Sequence, residues 1–285
     1  MAERAQADLH VHTSVSDGDF PPAEVVRLAA EAGLQAIAVT DHDTLDGFSE
    51  AAEAGRRWGV EVVPGVEIST SSDGKDIHVL GYFVDVSDAR FRERLAYQRD
   101  ARRRRNERMA ERLRELGVPV ALEEIEEEAR RSGKPNRHIG RAHIADWLVR
   151  NGYAESRADA FRRWLGREGA AYVALSRIAP EEAIRWIHEA GGAAVLAHPG
   201  LYGVPDLVDR LAAFGLDGVE AYHSDHDADQ EAFYAAAAER LGLVATAGSD
   251  FHGRRGGDFF HGPVGNRRIS RDVLEHLKER TKRST

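Results

Sequence analysis

Six short apolar runs punctuate the chain, and each stops abruptly at residues able to hold a metal or a proton. They are Ala7 to His12, Ala36 to Asp41, Val60 to Glu67, Ala193 to His198, Gly218 to Glu220 and Leu243 to Asp250. Runs such as AIAVT and AAVLA do not alternate in polarity, as expected of parallel strands covered on both faces. Between them fall helical segments: Pro22 to Ala32, Phe48 to Trp58, Pro205 to Phe214 and Ala228 to Leu241, with Pro near the start or Gly after the end. That alternation predicts an α/β fold with a parallel sheet. Functional residue types at the ends of many strands favour a barrel, in which those ends converge on one mouth.

Asp76 to Val84 (DIHVLGYFV) alternates better and follows the Ser/Gly-rich STSSDGK, so it is expected to form a hairpin with the strand before it. Residues 88–190 break the rhythm. They are helix-forming and Arg-rich, with one candidate strand at Ala170 to Leu175, and read as a helical insertion into a barrel made of 1–87 and 191–285. Residues 88–141 hold 16 Arg/Lys against 11 Asp/Glu, net +5, in a chain whose total is −9. The acidic total therefore conceals a basic stretch. The run Arg102 to Arg105 has Glu107, Glu111 and Glu115 within helical reach and reads as a solvated, salt-laced helix. Trp147, Trp164 and Trp186 read as core of the insertion. The start of the chain has no apolar signal region and no stretch is long enough to span a membrane, which predicts a cytoplasmic protein without membrane partners.

The absence of cysteine excludes disulfide scaffolds, thiolate zinc sites and cysteine nucleophiles, so a metal must rest on His, Asp, Glu or backbone oxygen. His10 and His12 lie at i and i+2 of the first strand and face the same side. Asp17 follows in SDGD, His42 in TDHD, Glu67 closes the third strand and His78 lies on the next. His198 closes another, and Asp250 and His252 repeat the i, i+2 geometry at the last. Six histidines and three carboxylates exceed the four to six bonds of one ion and suggest two or three, with Glu67 as the bridging candidate.

In this order DLHVHTSVSDG, TDHD, GVEIS with IHVLGY, AHPG and GSDFH resemble the motifs of the PHP (polymerase and histidinol phosphatase) family. The chain is similar to its stand-alone phosphoesterases, which hydrolyse nucleoside 3′,5′-bisphosphates and trim short RNA from the 5′ end. The resemblance implies a distorted (β/α)7 TIM-like barrel holding manganese, iron or zinc. One ion would take His10, His12, Glu67 and Asp250; a second Glu67, His78 and His198; a third Asp17, His42 and His252. It also implies Arg141 and His143, and His226 near the mouth, as substrate groups. Arg137 shares a helical face with Arg141, and the pair would hold a second phosphate.

Such a cluster suits hydrolysis of a phosphate ester by a hydroxide held between ions, without a covalent intermediate. The expected substrate is a phosphorylated small molecule, a nucleotide, or else a short RNA. The alternatives are a histidinol phosphate phosphatase or other small phosphomonoesterase, and a non-enzymatic module that binds metal for structure.

Overall fold

The computed structural model describes residues 6–131, 140–174, 177–204, 206–255 and 258–282. Seven strands form the main sheet: β1 (Gln6–Val11), β2 (Ala36–Val39), β3 (Glu61–Ser72), β4 (Lys75–Tyr82), β5 (Ala193–Leu196), β6 (Gly218–His223) and β7 (Val244–Gly248). A short β8 (Ile269–Ser270) pairs antiparallel with the start of β1. The helices are α1 (Pro22–Glu31), α2 (Phe48–Trp58), α3 (Ala89–Arg99), α4 (Ala101–Glu115), α5 (Leu122–Arg131), α6 (Arg141–Arg150), α7 (Arg157–Ala160), α8 (Pro180–Glu189), α9 (Leu207–Ala213), α10 (Ala228–Leu241) and α11 (Val273–Thr281). None is long and apolar enough to cross a membrane.

Strands β1, β2 and β3 run parallel, as do β5, β6 and β7, while β4 is antiparallel to both neighbours. The expected hairpin is there, in register from Gly65↔Tyr82 to Ser72↔Lys75. The circle closes beyond β7, where the Asp250 amide donates to the His10 carbonyl (2.8 Å) and the His12 amide to that of Phe251 (2.9 Å). The result is a nearly closed barrel distorted by one reversed strand.

The apolar runs explain themselves in β2. Ile37 and Val39 pack outward with Val25, Val26 and Ala51 of α1 and α2. Ala36 and Ala38 face the other way, with Leu9, Leu80, Tyr82, Val195 and α11 residues Val273, Leu274 and Leu277. Both faces are covered, so the strand needs no polar side. Helix ends carry the expected signals. Pro22 begins α1 and Gly59, at φ 71°, ends α2. At α10 the Asp227 carboxylate accepts from the Gln230 amide (2.8 Å) while the Gln230 side chain accepts from the Asp227 amide (3.0 Å).

The chain divides into two compact units, 1–96 with 178–285, and 97–177. Helix α8 packs on β3, β4 and β5 within the barrel unit, and Trp186 joins that unit's core, not that of the insertion. The expected boundaries of 88 and 190 therefore each reached about one helix too far. The second unit buries Met109, Leu113, Ile125, Ile144, Trp147, Leu148 and Leu165, with Trp164 packed against them. The strand expected at Ala170 to Leu175 does not form over Ala170–Ala174, where the chain is turn and coil; Leu175 lies outside the described residues, as do Arg137 and Pro205.

Candidate metal centre

Strands β1, β3 and β4 and the chain following β1, β2, β5 and β7 bring nine side chains together within the barrel unit; Glu67 does not close its strand as expected but lies inside β3, which runs on to Ser72 in the hairpin with β4. Glu67, 1% exposed, is their hub. Its Oε2 lies 3.0 Å from His42 Nδ1, 3.2 Å from His12 Nε2 and 3.5 Å from His10 Nε2. Its Oε1 faces the other way, 2.9 Å from His78 Nδ1 and 3.1 Å from His198 Nε2. Asp250 Oδ1 sits 3.3 Å from His10 Nε2, 3.2 Å from His12 Nε2 and 3.4 Å from His252 Nδ1. Asp17 Oδ1 is 3.1 Å from His252 Nε2 and 3.9 Å from both His12 Nδ1 and His42 Nε2.

Two backbone positions are strained to achieve this. His198 (φ 25°) and Asp250 (φ 53°) occupy the left-handed region, which costs a non-glycine residue about 1–3 kcal/mol. Both lie just past a strand end, where the strain turns a side chain back into the centre.

Electrostatics follow from packing carboxylates among imidazoles away from water. Burial alone would raise the Glu67 carboxyl, but His78, His42 and His10 around it hold it well below the usual range. Burial likewise opposes charge on His12, yet Asp250 and Glu67 push it up to about 10. His10 rises for the same reason, through Glu220, Asp250 and Glu67. These histidines must be neutral to ligate, so metal uptake by this cluster releases protons.

The donor set fits divalent ions. Among the described residues His42 Nδ1, His78 Nδ1, His198 Nδ1 and Asp250 Oδ1 are buried side-chain atoms without a hydrogen-bond partner. Two of them, His42 Nδ1 and His78 Nδ1, lie 3.0 and 2.9 Å from the Glu67 oxygens without bonding geometry, as lone pairs aimed at a common ion would. Mutually close ligand atoms group as His12, Asp17, His42 and His252; as His10, His12 and Glu67; as His10, His198 and Asp250; and as His42, Glu67 and His78. His10, His12, His42 and Glu67 each belong to two of these groups, a finer sharing than the partition the family resemblance implies.

Around these lies a shell that sequence reasoning left out. Glu220 on β6 is wholly buried; its Oε1 accepts from His10 Nδ1 (3.0 Å) and its Oε2 from the His198 amide (2.8 Å). His223 Nδ1 accepts from the Asp225 amide (3.1 Å), which leaves its Nε2–H to donate to Asp250 Oδ2 at 3.3 Å. His261 joins Asp225 through Nδ1 and stands 3.4 Å from Asp250 Oδ2 through Nε2. Asp41 gathers the loop that carries Asp17, accepting from the Thr13 amide (2.8 Å), the Thr13 hydroxyl (2.7 Å) and the Ser16 hydroxyl (2.6 Å). Asp8 accepts from the amides of Ser249 (2.9 Å) and Gly265 (2.8 Å), and burial lifts its carboxyl to about 6. Glu220 closes a run quoted from sequence; His223 and His261 carry no periodic signal.

The expectation for His226 needs correcting. Its Nδ1–H donates to the Ala221 carbonyl (3.0 Å) and its Nε2 accepts from the Gly200 amide (3.1 Å). With both ring nitrogens given to backbone, it pins two loops and has none left for a substrate. Arg141 and His143 lie in the first turn of α6, in the other unit. The Arg141 guanidinium stands 5.7 Å from the Phe161 ring centroid and donates to the Leu165 carbonyl at 3.4 Å, and His143 Nδ1 accepts from the Gly140 amide at 3.1 Å.

Close packing at Gly248 gives a direct test. A Cβ there would stand 2.1 Å from His10 Cβ and 2.5 Å from Glu220 Oε1. Gly248→Ala is expected to lose about 1–3 kcal/mol or more to overpacking and to displace His10. Thermal melts with metal content measured on the same sample check it; an unchanged melting temperature with full metal would contradict it.

Residues 8–169 match a family model described as PHP domain. The chain is 37% identical over 252 residues to the 5′-3′ exoribonuclease Rnm of Escherichia coli, across 86% of this chain and 84% of the relative. It is 35% identical over 264 residues to the 3′,5′-nucleoside bisphosphate phosphatase of Chromobacterium violaceum, across 90% and 91%. Among solved structures, one from Bifidobacterium adolescentis, assigned as a metal-dependent phosphoesterase, superposes with a TM-score of 0.74 over 96% of each chain at 32% identity.

Proposed function

Because the chain belongs to the PHP domain family of metal-dependent phosphoesterases, we propose that it removes the 3′-phosphate of nucleoside 3′,5′-bisphosphates and trims short RNA from the 5′ end. The observation that carries this reading is the two-sided carboxylate of Glu67, facing His10, His12 and His42 with one oxygen and His78 and His198 with the other. Added to it is the similarity, over more than four-fifths of the chain, to an exoribonuclease and a bisphosphate phosphatase.

The nine ligands would be His10, His12, Asp17, His42, Glu67, His78, His198, Asp250 and His252, holding two or three ions of manganese, iron or zinc. When bound, the ions supply positive charge for the phosphoryl oxygens and make water a nucleophile near neutral pH. The protein's own residues do the positioning. Glu220 fixes the His10 ring with Nε2 turned inward, Asp41 holds the Asp17 loop, and His223 donates to the outer oxygen of Asp250 so that the inner one stays free to ligate. Arg141, with His143, is the proposed contact for the second phosphate of a bisphosphate.

Initial rates with manganese on adenosine 3′,5′-bisphosphate, AMP, histidinol phosphate and a short 5′-phosphorylated RNA test the substrate class. The bisphosphate and the RNA should be turned over at least about tenfold faster, the worth of one charge-assisted contact. In Arg141→Ala the bisphosphate preference should shrink. A preference for histidinol phosphate would replace the reading with the phosphomonoesterase alternative; no phosphate release from any ester would leave a metal-binding module.

A further inference from the structure

Tyr202 is tied to two of the nine clustered side chains at once. Strand β5 ends at Leu196, and the strained His198 opens the short helical turn Pro199–Leu201 that brings Tyr202 back onto the barrel. There its ring packs against the His198 ring, with centroids 5.4 Å apart. Its hydroxyl accepts from the His78 amide at 2.8 Å. The strand register explains why that amide needs a partner. One step beyond the last pair, Val79↔Leu196, the Ala197 amide still donates to the His78 carbonyl at 3.2 Å. A hydrogen-bonded antiparallel pair would return that bond. The His78 amide turns to Tyr202 instead, so a side chain completes the ladder where the strand has left it.

The turn that carries Tyr202 is itself fastened. Lys75, at the tip of the β3–β4 hairpin, donates from Nζ to the carbonyls of Tyr202 (2.8 Å) and Gly203 (3.2 Å). The Gly200 amide donates to His226 Nε2 and its carbonyl accepts from the Gln230 side chain, both at 3.1 Å. A Cβ on Gly200 would stand 2.8 Å from the His226 ring and 2.9 Å from Gln230 Nε2, so the turn has no slack.

His78 and His198 face one side of the hub. They lie 2.9 and 3.1 Å from Glu67 Oε1, whereas His10, His12 and His42 face Oε2. Among the described residues no hydrogen bond or ring contact joins Tyr202 to those three. Metal–ligand distances tolerate only about 0.2 Å, so a small shift of the His78 backbone is felt by the ion its ring would hold.

We propose that Tyr202 is a positioning residue for one ion, the one that Glu67, His78 and His198 would hold, and that it sets both histidines together. This role rests on the proposed ligand set, but it is read by metal binding without substrate. A protein that binds metal in this way and hydrolyses no ester would lose the phosphoesterase reading and keep the role of Tyr202.

Tyr202→Phe removes the acceptor and keeps the ring. Full-length protein is equilibrated with manganese at chelator-buffered free concentrations, and bound metal per chain is measured by mass spectrometry. The affinity for one ion should fall about 10- to 100-fold, the usual worth of a group that orients a ligand, with the other affinities within about twofold. His78→Ala should lose the same ion, and combining the two substitutions should lose no further metal, as expected of a residue that acts through another. Thr70→Val controls for stability alone. The Thr70 hydroxyl donates to the Ile77 carbonyl at 2.6 Å in the same hairpin, and its loss should lower the melting temperature with metal binding unchanged. Should Tyr202→Phe fail to fold, Lys75→Met carries the test: it loosens the turn without touching the Tyr202 side chain and should weaken the same ion by a smaller factor, and an unchanged isotherm would count against the proposal. Unchanged metal binding in folded Tyr202→Phe would overturn the role, and equal weakening of every ion would reduce Tyr202 to a general support of the fold. Full metal occupancy with a lowered kcat would move the hydroxyl from the ligands to the substrate. If His78→Ala keeps all its metal, the ligand set fails and the role of Tyr202 with it.

Discussion

Glu67→Gln is expected to abolish hydrolysis, with kcat/KM reduced at least about 10³-fold, while the barrel still folds. The substitution keeps volume and shape but replaces one carboxylate oxygen by an NH₂ and removes a negative charge. Whichever way the amide turns, its donor meets either His78 and His198 or His10, His12 and His42. A donor cannot ligate, so the groups joined by this side chain can no longer share it. Losing one preorganised electrostatic element costs about 10²–10³ in rate, and Glu67 serves both sides of the cluster at once. The loss should appear in kcat on every phosphoester and should not be rescued by excess manganese. Metal analysis should show at least one ion fewer per chain, with the far-ultraviolet circular dichroism unchanged. Activity within tenfold of the parent at full metal occupancy would remove Glu67 from the centre of the site.

How much of this was legible in the sequence depends on whether an inference needed one strand or two. The pairs His10/His12 and Asp250/His252 follow from the two-residue period of a single strand, and the hairpin of β3 and β4 follows from its turn and alternation. Glu67 could be named as the bridge because a carboxylate has two oxygens and this one sits in mid-sequence between the ligand pairs, although its strand runs on to Ser72. Glu220 and His223 were out of reach for the opposite reason. Their significance arises only when β6 lies between β5 and β7 in the observed register, bringing Glu220 to His10 across 210 positions of sequence. His226, three residues after His223, was named by resemblance, and its ring is spent on backbone. The insertion was misjudged at its edges because α8 is amphipathic in the way any helix is, and only packing against β3 to β5 assigns it to the barrel. Likewise α4 distributes Arg103 and its neighbours over different faces. Arg103 pairs with Glu107 at 3.2 Å on a solvated face while Arg104, Arg105 and Arg108 line a cavity, and no local pattern distinguishes them.

Glu220→Gln should act differently from Glu67→Gln: metal affinity falls about 10- to 100-fold, and activity returns when metal is supplied in excess. Glu220 touches no proposed substrate atom and ligates no inward-facing position. Ionised, it can only accept, so His10 must carry its proton on Nδ1 and turn the Nε2 lone pair toward Glu67 and Asp250. Its second oxygen takes the His198 amide and thereby sets the start of the strained turn that aims His198 at Glu67. A glutamine has one oxygen for these two donors. If the oxygen stays with His10, the NH₂ faces the His198 amide; if it turns to His198, the NH₂ faces His10 and favours the wrong tautomer. Either way one buried donor is unsatisfied, at about 1–3 kcal/mol, and the anionic partner that makes His10 a stronger ligand is gone. Removing such partners typically costs the 10- to 100-fold in affinity given above. The readout is a manganese titration of activity in chelator-buffered solution. Its midpoint should shift to higher metal by that factor, with kcat at saturation within about threefold of the parent. An unshifted midpoint would make Glu220 a packing residue only, and a loss of kcat that excess metal does not restore would place it among the groups that act on the phosphate itself.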